Sequence, residues 1–253
     1  MGWLRNRRRR RAARRRRLSP TAWARGEAAL PGLRRLDPGA RQRLEATAVA
    51  FAAEKRFEGV ADVQADQAAI DTVALQAAVP VLELGLDWYA PWTTVLLYPA
   101  SFVATHEYQD EDGVVHVARG PLIGEAWVAG PLVLSLEDAL APVAGTNVVI
   151  HECAHKLDMR QGHSNGLPPL PRSMPVEAWS AAFEHAYADL RNRTDEGMQE
   201  GGHGAPLDVY AAQDPAEFFA VATETFFVAP SRLRRGYPDV YHQLAQFYGW
   251  SLA

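Results

Sequence analysis

Residues 148–158 read VVIHECAHKLD, a stretch that contains the pattern HExxH at His151, Glu152 and His155. Histidines four residues apart lie on one face of a helix, one turn apart, so both imidazoles can point at one metal ion. Glu152 follows the first histidine, which places its carboxylate beside a water on that metal, where it can act as a general base. Zinc lowers the pKa of such a water to about 7. The motif therefore predicts a helix that carries a hydrolytic zinc site.

The sequence around the motif favours this interpretation. The apolar run at 148–150 leads directly into it, and the small residues Cys153 and Ala154 fill its middle. Gly145-Thr146-Asn147 supplies N-cap chemistry, so we expect a helix from about 147 to 158. The alternative is a partly buried helix whose two histidines bond to backbone groups and whose glutamate lies at the surface.

A catalytic zinc site needs three protein ligands and an open position for water. The common spacings do not supply the third one here. Six residues after His155 stands Gln161 instead of a histidine, and the positions 19 and 20 residues after it hold Met174 and Pro175 instead of a glutamate. The third ligand must therefore come from farther along the chain.

The segment 208–227, DVYAAQDPAEFFAVATETFF, offers two candidates. Asp214 followed by Pro215 is a typical helix start, and Glu217 and Glu224 then lie on one face of that helix. Glu217 could instead form a capping box with Asp214, and Glu224 could be a solvated or internally paired acid. The spacing leaves these alternatives open.

Several stretches resemble the Mlc titration factor A family of bacterial zinc peptidases, which is related to the catalytic domain of anthrax lethal factor. The similarity runs from about residue 30 to 250. Its anchors are HECAHKLDMRQG (151–162), Tyr210, DPAEFFAV (214–221), PVLELGLDWY (80–89), LLYPASFV (96–103) and the QFYGW region near the C-terminus.

This resemblance implies a set of roles. The ligands of one zinc ion per chain would be His151, His155 and Glu217, with Glu152 as general base. Tyr210 would donate a hydrogen bond to the oxyanion of the tetrahedral intermediate; without the resemblance, it would be interpreted as a packing aromatic residue. Glu224 is a candidate for orienting a ligand histidine from behind.

The resemblance also implies a function and partners. The expected activity is aminopeptidase-like hydrolysis of a peptide or protein substrate through a zinc-bound water that Glu152 activates. Endopeptidase action stays open, because the sequence identifies no acid that would recognise a free α-amine. The alternative function is that of a regulatory binding protein that sequesters a transcriptional repressor of sugar uptake, of the Mlc type.

The composition is typical of a soluble enzyme. With 253 residues, 48% of them hydrophobic, the chain can bury a sizeable core as one domain. Its single cysteine excludes an internal disulfide and favours a reducing compartment. No stretch of about 18 apolar residues predicts a transmembrane helix. We therefore expect a cytoplasmic protein.

The N-terminus has a different charge from the rest of the chain. Residues 1–17 hold ten of the 26 basic residues, whereas all 30 acidic residues come later. Such a run is typical of a disordered tail. We therefore divide the chain into an arginine-rich tail, residues 1–18, and a single peptidase domain, residues 19–253. The tail could contact nucleic acid or an anionic membrane.

The order of predicted elements gives the fold class. Helices are expected at about 38–57, 66–79, 147–158, 176–193, 214–228 and 238–249. Strands are expected at 93–98, 113–119, 125–130 and 131–136, and loops at 162–175 and 194–207. This order predicts an α+β, zincin-like metallopeptidase domain with a small mixed sheet and a metal-bearing HExxH helix. The strand EAWVAGPLVLSL (125–136) is either a core strand or an edge that pairs with an extended peptide.

Overall fold

A computed structural model describes residues 7, 9, 11–12, 16–99, 105–109, 115–119, 130–195 and 206–252. Its helices are α1 (Pro20–Ala29), α2 (Pro38–Glu54), α3 (Gln67–Ala78), α4 (Leu136–Leu140), α5 (Val148–Asp158), α6 (Val176–Asp195), α7 (Pro215–Val228), α8 (Pro230–Gly236) and α9 (Pro238–Tyr248). Its strands are β1 (Arg56–Gly59), β2 (Thr94–Tyr98), β3 (Thr105–Gln109), β4 (Val115–Arg119) and β5 (Leu132–Ser135). Short 3₁₀ helices cover Pro31–Arg35, Leu86–Tyr89, Met159–Gln161 and Val209–Ala212.

The three-stranded sheet has the order β1-β2-β5, and both of its pairings are parallel. The α+β class is confirmed, but the predicted mixed sheet is wrong for the described residues. The antiparallel pair, β3 with β4, forms a separate two-stranded sheet. Helix α3 lies in the connection between β1 and β2, and such long crossovers return the chain in the same direction and so produce parallel pairing.

Strand β1 corrects the predicted helix 38–57. Helix α2 ends at Glu54, and the backbone N–H of Arg56 then donates to the carbonyl of Thr93, which begins the pairing with β2. The side chain of Phe57 packs edge-on against Phe51, with ring centroids 6.2 Å apart. No proline or glycine marks the boundary at residue 55, so contacts with distant segments, including the pairing with β2, end the helix here.

The other predicted helices agree with the structure to within two residues at each end, as do β2, β4 and β5. Strand β3 was not predicted. The expected loop 162–175 contains no helix or strand. The predicted strand 125–130 lies outside the described residues except for Gly130, and so does most of the predicted loop 194–207, namely residues 196–205. Among the described strands, β5 stands at an edge of its sheet.

The core surrounds α5 and α7. Every residue of α7 from Ala216 to Phe227 is buried, so this helix contacts protein on all sides. Helix α5 packs between α7 and strand β5. Aromatic rings of α6 also pack against α7. Trp179 and Phe183 stack with their centroids 4.2 Å apart, and both contact Phe219 of α7. The two helices that carry the candidate ligands are therefore held rigidly by the largest part of the core.

Several described arginines of the N-terminal segment, Arg17 among them, form ion pairs with acids in the body of the protein. Arg9 forms ion pairs with Glu54 (2.6 Å) and Asp87 (2.9 Å), and Arg16 pairs with the buried Asp71 of α3. The boundary at residue 18, and the use of this segment to contact nucleic acid or an anionic membrane, stay predictions. In the described part of the chain, no helix is both long and apolar enough to cross a membrane.

Candidate metal centre

Helix α5 places both motif histidines on one face, as the sequence predicts. Its N-cap is Asn147, whose side-chain oxygen accepts a hydrogen bond from the N–H of Ile150 at 3.0 Å. The rings of His151 and His155 lie 4.9 Å apart, and their Nε2 atoms approach to 3.2 Å. Both Nε2 atoms therefore point toward one position beside the helix.

Helix α7 brings Glu217 to the same position. Asp214 caps this helix by accepting hydrogen bonds from the N–H groups of Ala216 and Glu217 at 2.8 and 2.9 Å. The Glu217 carboxylate makes no hydrogen bond back to the cap. Its Oε2 lies 3.2 Å from His151 Nε2, and its Oε1 lies 3.4 Å from His155 Nε2. The capping-box alternative for Glu217 is therefore wrong.

These three side chains form a cluster that could hold a metal ion. One ligand atom from each of His151, His155 and Glu217 lies within 4.8 Å of the others. The Glu217 side chain is fully buried, yet neither of its oxygens has a partner with hydrogen-bond geometry. A buried carboxylate without such partners costs free energy, and a cation between it and the imidazoles would remove that cost. Two histidines and one carboxylate are also a ligand set that zinc accepts, so these residues fit the metal.

The acids and histidines of the cluster strongly shift each other's pKa values. Burial lowers the pKa of His151, but the carboxylates of Glu217 and Glu224 outweigh it and raise that pKa to about 10. Burial raises the pKa of Glu217, but the contacts of its carboxylate with the imidazoles of His151 and His155 outweigh that effect and lower the pKa to about 2. The carboxylates therefore stabilise positive charge at this position, as a bound cation would supply.

Glu152 and Tyr210 lie beside the cluster and not in it. Glu152 is half-buried, and its negative charge helps to raise the pKa of both His151 and Tyr210. The Tyr210 ring lies 6.2 Å from the His151 ring and is 39% exposed. Burial, and then the charges of Glu217 and Glu152, raise the pKa of Tyr210 well above its usual value. Its phenol is therefore protonated at neutral pH and can donate a hydrogen bond.

Glu224 occupies the position behind His151. Its Oε2 lies 3.2 Å from His151 Nδ1, on the side of the ring opposite Nε2. A carboxylate that accepts the Nδ1 proton leaves Nε2 free to bind a metal. The sequence offered Glu217 and Glu224 as alternatives, and the structure gives them different positions around the same imidazole.

Asp158, for which the sequence predicted no role, joins the end of α5 to the loop 162–175. Its buried carboxylate accepts hydrogen bonds from Ser164 Oγ at 3.1 Å and from the N–H of Gly166 at 2.7 Å. Gly166 has φ +78°, and a Cβ there would lie 2.5 Å from the carbonyl oxygen of Pro215. The loop therefore fixes the distance between the end of α5 and the first turn of α7. An aspartate three residues after the motif is the only sequence signal of this contact.

The family of the chain follows from comparison with known proteins. The model of the family described as glucose-regulated metallo-peptidase M90 matches residues 4–249. Proteins named Mlc titration factor A from Yersinia pestis (strain Pestoides F) and Yersinia pseudotuberculosis serotype O:1b (strain IP 31758) are each 38% identical to the chain over 222 residues. Those alignments cover 87% of this chain and 81% of each relative. The resemblance seen in the sequence is confirmed, and the chain belongs to the M90 family of metallopeptidases.

Proposed function

We propose that this protein is a zinc-dependent peptidase whose metal ligands are His151, His155 and Glu217. The observation that carries the proposal is the convergence of two imidazole nitrogens and a buried, otherwise unpartnered carboxylate on one position. Membership of a metallopeptidase family supports the same conclusion.

The side chains around the cluster can take separate roles in peptide hydrolysis. When bound, zinc would lower the pKa of a water to about 7 and polarise the scissile carbonyl group. Glu152 then takes a proton from the attacking water and delivers it to the leaving nitrogen. Tyr210 donates a hydrogen bond to the carbonyl oxygen as negative charge develops on it. Glu224 holds the His151 ring in orientation.

Replacing Tyr210 by phenylalanine should lower kcat about 10²-fold and leave KM nearly unchanged, because loss of one oxyanion donor removes an interaction made mainly in the transition state. Steady-state kinetics on one peptide substrate checks this. Tyr237→Phe is a matched control, since that phenol donates to Asp189 at 3.0 Å and does not belong to the cluster. Equal losses of activity in the two variants would remove Tyr210 from the proposed mechanism.

We further propose that the activity is aminopeptidase-like, a specificity that the sequence resemblance supports. The zinc-loaded protein should hydrolyse a fluorogenic peptide with a free α-amine at least about tenfold faster than its N-acetylated counterpart, which corresponds to about 1.4 kcal/mol of transition-state binding. A chelator should abolish both reactions. A preference for the acetylated peptide would indicate endopeptidase action instead, and no hydrolysis of either peptide by zinc-loaded protein would count against the peptidase itself.

A second candidate function is the sequestering of a transcriptional repressor of the Mlc type. It is supported by the name of the relatives, Mlc titration factor A. Such binding needs surface complementarity and no chemistry, so it can coexist with hydrolysis. Binding to a repressor would place the protein in the cytoplasm, and this location is supported by the only cysteine, Cys153, which is buried and free.

A further inference from the structure

A chain of buried hydrogen bonds connects helix α3 to the candidate metal centre. Gln76 Nε2 donates to the carbonyl of Ala139 at 2.8 Å, and Gln76 Oε1 accepts from Asn147 Nδ2 at 2.7 Å. The backbone N–H of Asn147 donates to Glu224 Oε1, and Glu224 Oε2 lies 3.2 Å from His151 Nδ1. We call the side chains of Gln76, Asn147 and Glu224 the relay. Gln76 thus bonds to a residue on each side of the loop 141–146.

The helix cap fixes the direction of every donor in the relay. Asn147 Oδ1 must accept from the N–H of Ile150, because it is the N-cap of α5. Its Nδ2, which can only donate, therefore faces Gln76 and requires an acceptor there. Gln76 must present Oε1 to it, which leaves Nε2 to donate to Ala139. Rotating either amide by 180° would place two donors or two acceptors face to face.

Amide side chains as deeply buried as those of Gln76 and Asn147 are not expected if their only role is to fill the core. Gln76 is 1% exposed and Asn147 is 0% exposed, and the neighbours of Gln76 in α3 include Val73, Ala74 and Leu75, which are fully buried. A polar side chain in such a place costs free energy unless all its hydrogen bonds are made. Apolar side chains in place of both amide groups would fill the core without that cost. The relay ends on a histidine that belongs to the metal cluster, which gives the polar groups a role beyond packing.

We propose that Gln76 and Asn147 are positioning residues for the metal centre. They act through Glu224: the Asn147 backbone N–H holds one oxygen of the carboxylate, and Gln76 holds the Asn147 side chain. The other carboxylate oxygen then accepts the Nδ1 proton of His151, so that Nε2 faces Glu217 with its lone pair free. The inference rests on the proposed function, because it assigns these residues to the same metal site.

The test is the zinc affinity of Gln76→Met, a variant that keeps the length of the side chain and removes all three of its hydrogen bonds. Zinc affinity, measured by competition with a chelator, should fall about tenfold, the smaller of the losses found when an outer partner of a ligand histidine is removed. Thr72→Val is the matched control, since it removes a hydroxyl that donates to Ala68 within the same buried helix. It keeps the backbone carbonyl of Thr72, which accepts a long hydrogen bond from Gln76 Nε2 at 3.4 Å. The control should lower the thermal midpoint of the metal-free protein and leave zinc affinity unchanged.

A second variant and a double-mutant cycle separate positioning from general destabilisation. Asn147→Ser keeps a side-chain acceptor for the N-cap but removes the amide nitrogen that bonds to Gln76, and it should also weaken zinc binding. In a Glu224→Gln background, Gln76→Met should lower zinc affinity much less than it does in the wild type. The carboxylate through which Gln76 acts on His151 is already missing there.

The proposal is overturned if Gln76→Met and Asn147→Ser bind zinc within about twofold of the wild type, or if the loss is the same in the Glu224→Gln background. An equal loss of zinc affinity in Thr72→Val would also overturn it, because general destabilisation of the fold would then explain the effect. A wild type that binds no zinc would instead overturn the proposed function, so the two failures are distinguishable.

Discussion

Replacing Glu152 by glutamine should lower kcat for peptide hydrolysis by about 10²–10⁴-fold, the contribution expected of a positioned general base. The amide has nearly the same shape as the carboxylate but cannot accept a proton from water. Zinc should stay bound at about one ion per chain, because Glu152 lies beside the ligand cluster and is not part of it. Kinetics on one peptide, together with metal analysis by mass spectrometry, measures both quantities in the same preparation.

The exposed Glu184 of α6 provides the control for this variant. Glu184→Gln makes the same chemical change far from any assigned role and should leave kcat unchanged. Loss of zinc from Glu152→Gln would contradict the assigned role by making the residue a ligand, and retention of full activity would contradict it by removing the base. If the protein also sequesters a repressor, Glu152→Gln should still bind it.

Replacing Glu217 by alanine should weaken zinc binding by more than about 100-fold, because removing even an outer partner of a ligand costs about 10–100-fold. Hydrolysis should fall with it at limiting zinc. Chelator competition measures the affinity, and thermal unfolding of the metal-free protein shows whether the variant still folds. Glu217→Gln, which keeps the volume of the side chain and one uncharged oxygen, should bind zinc with intermediate affinity.

Full zinc affinity in Glu217→Ala would move the third ligand to another residue. Glu224 would be tested next, because it is the other carboxylate in contact with His151. The structure separates the two acids clearly: Glu217 faces Nε2 of that ring, and Glu224 faces Nδ1. We therefore expect Glu224→Ala to weaken zinc binding less than Glu217→Ala does.

The sequence predicted those features of the site that are determined by residues close together in the chain. The i, i+4 spacing of His151 and His155 places them on one face wherever that segment is helical, and Asn147 marks the start of the helix. Asp214 with Pro215 marks the start of α7 in the same way. Each of these signals acts within one turn of helix, so the surrounding fold was not needed to see it.

The remaining features depend on contacts between distant segments. Spacing alone could not choose between Glu217 and Glu224, since both lie on the face of α7 that meets α5, and only the family resemblance chose Glu217. Strand β1 was missed because its pairing with β2 ends the preceding helix without any local signal. Gln76 looks like any glutamine in an amphipathic helix until Ala139 and Asn147, more than 60 residues later, contact it.

Anomalous diffraction at the zinc edge from crystals of the zinc-loaded protein would locate the metal ion directly. We expect a strong peak about 2.0–2.2 Å from His151 Nε2, His155 Nε2 and a carboxylate oxygen of Glu217, the distances usual for zinc with nitrogen and oxygen ligands. A peak coordinated by other side chains, with none between these three, would rule out His151, His155 and Glu217 as the zinc ligands.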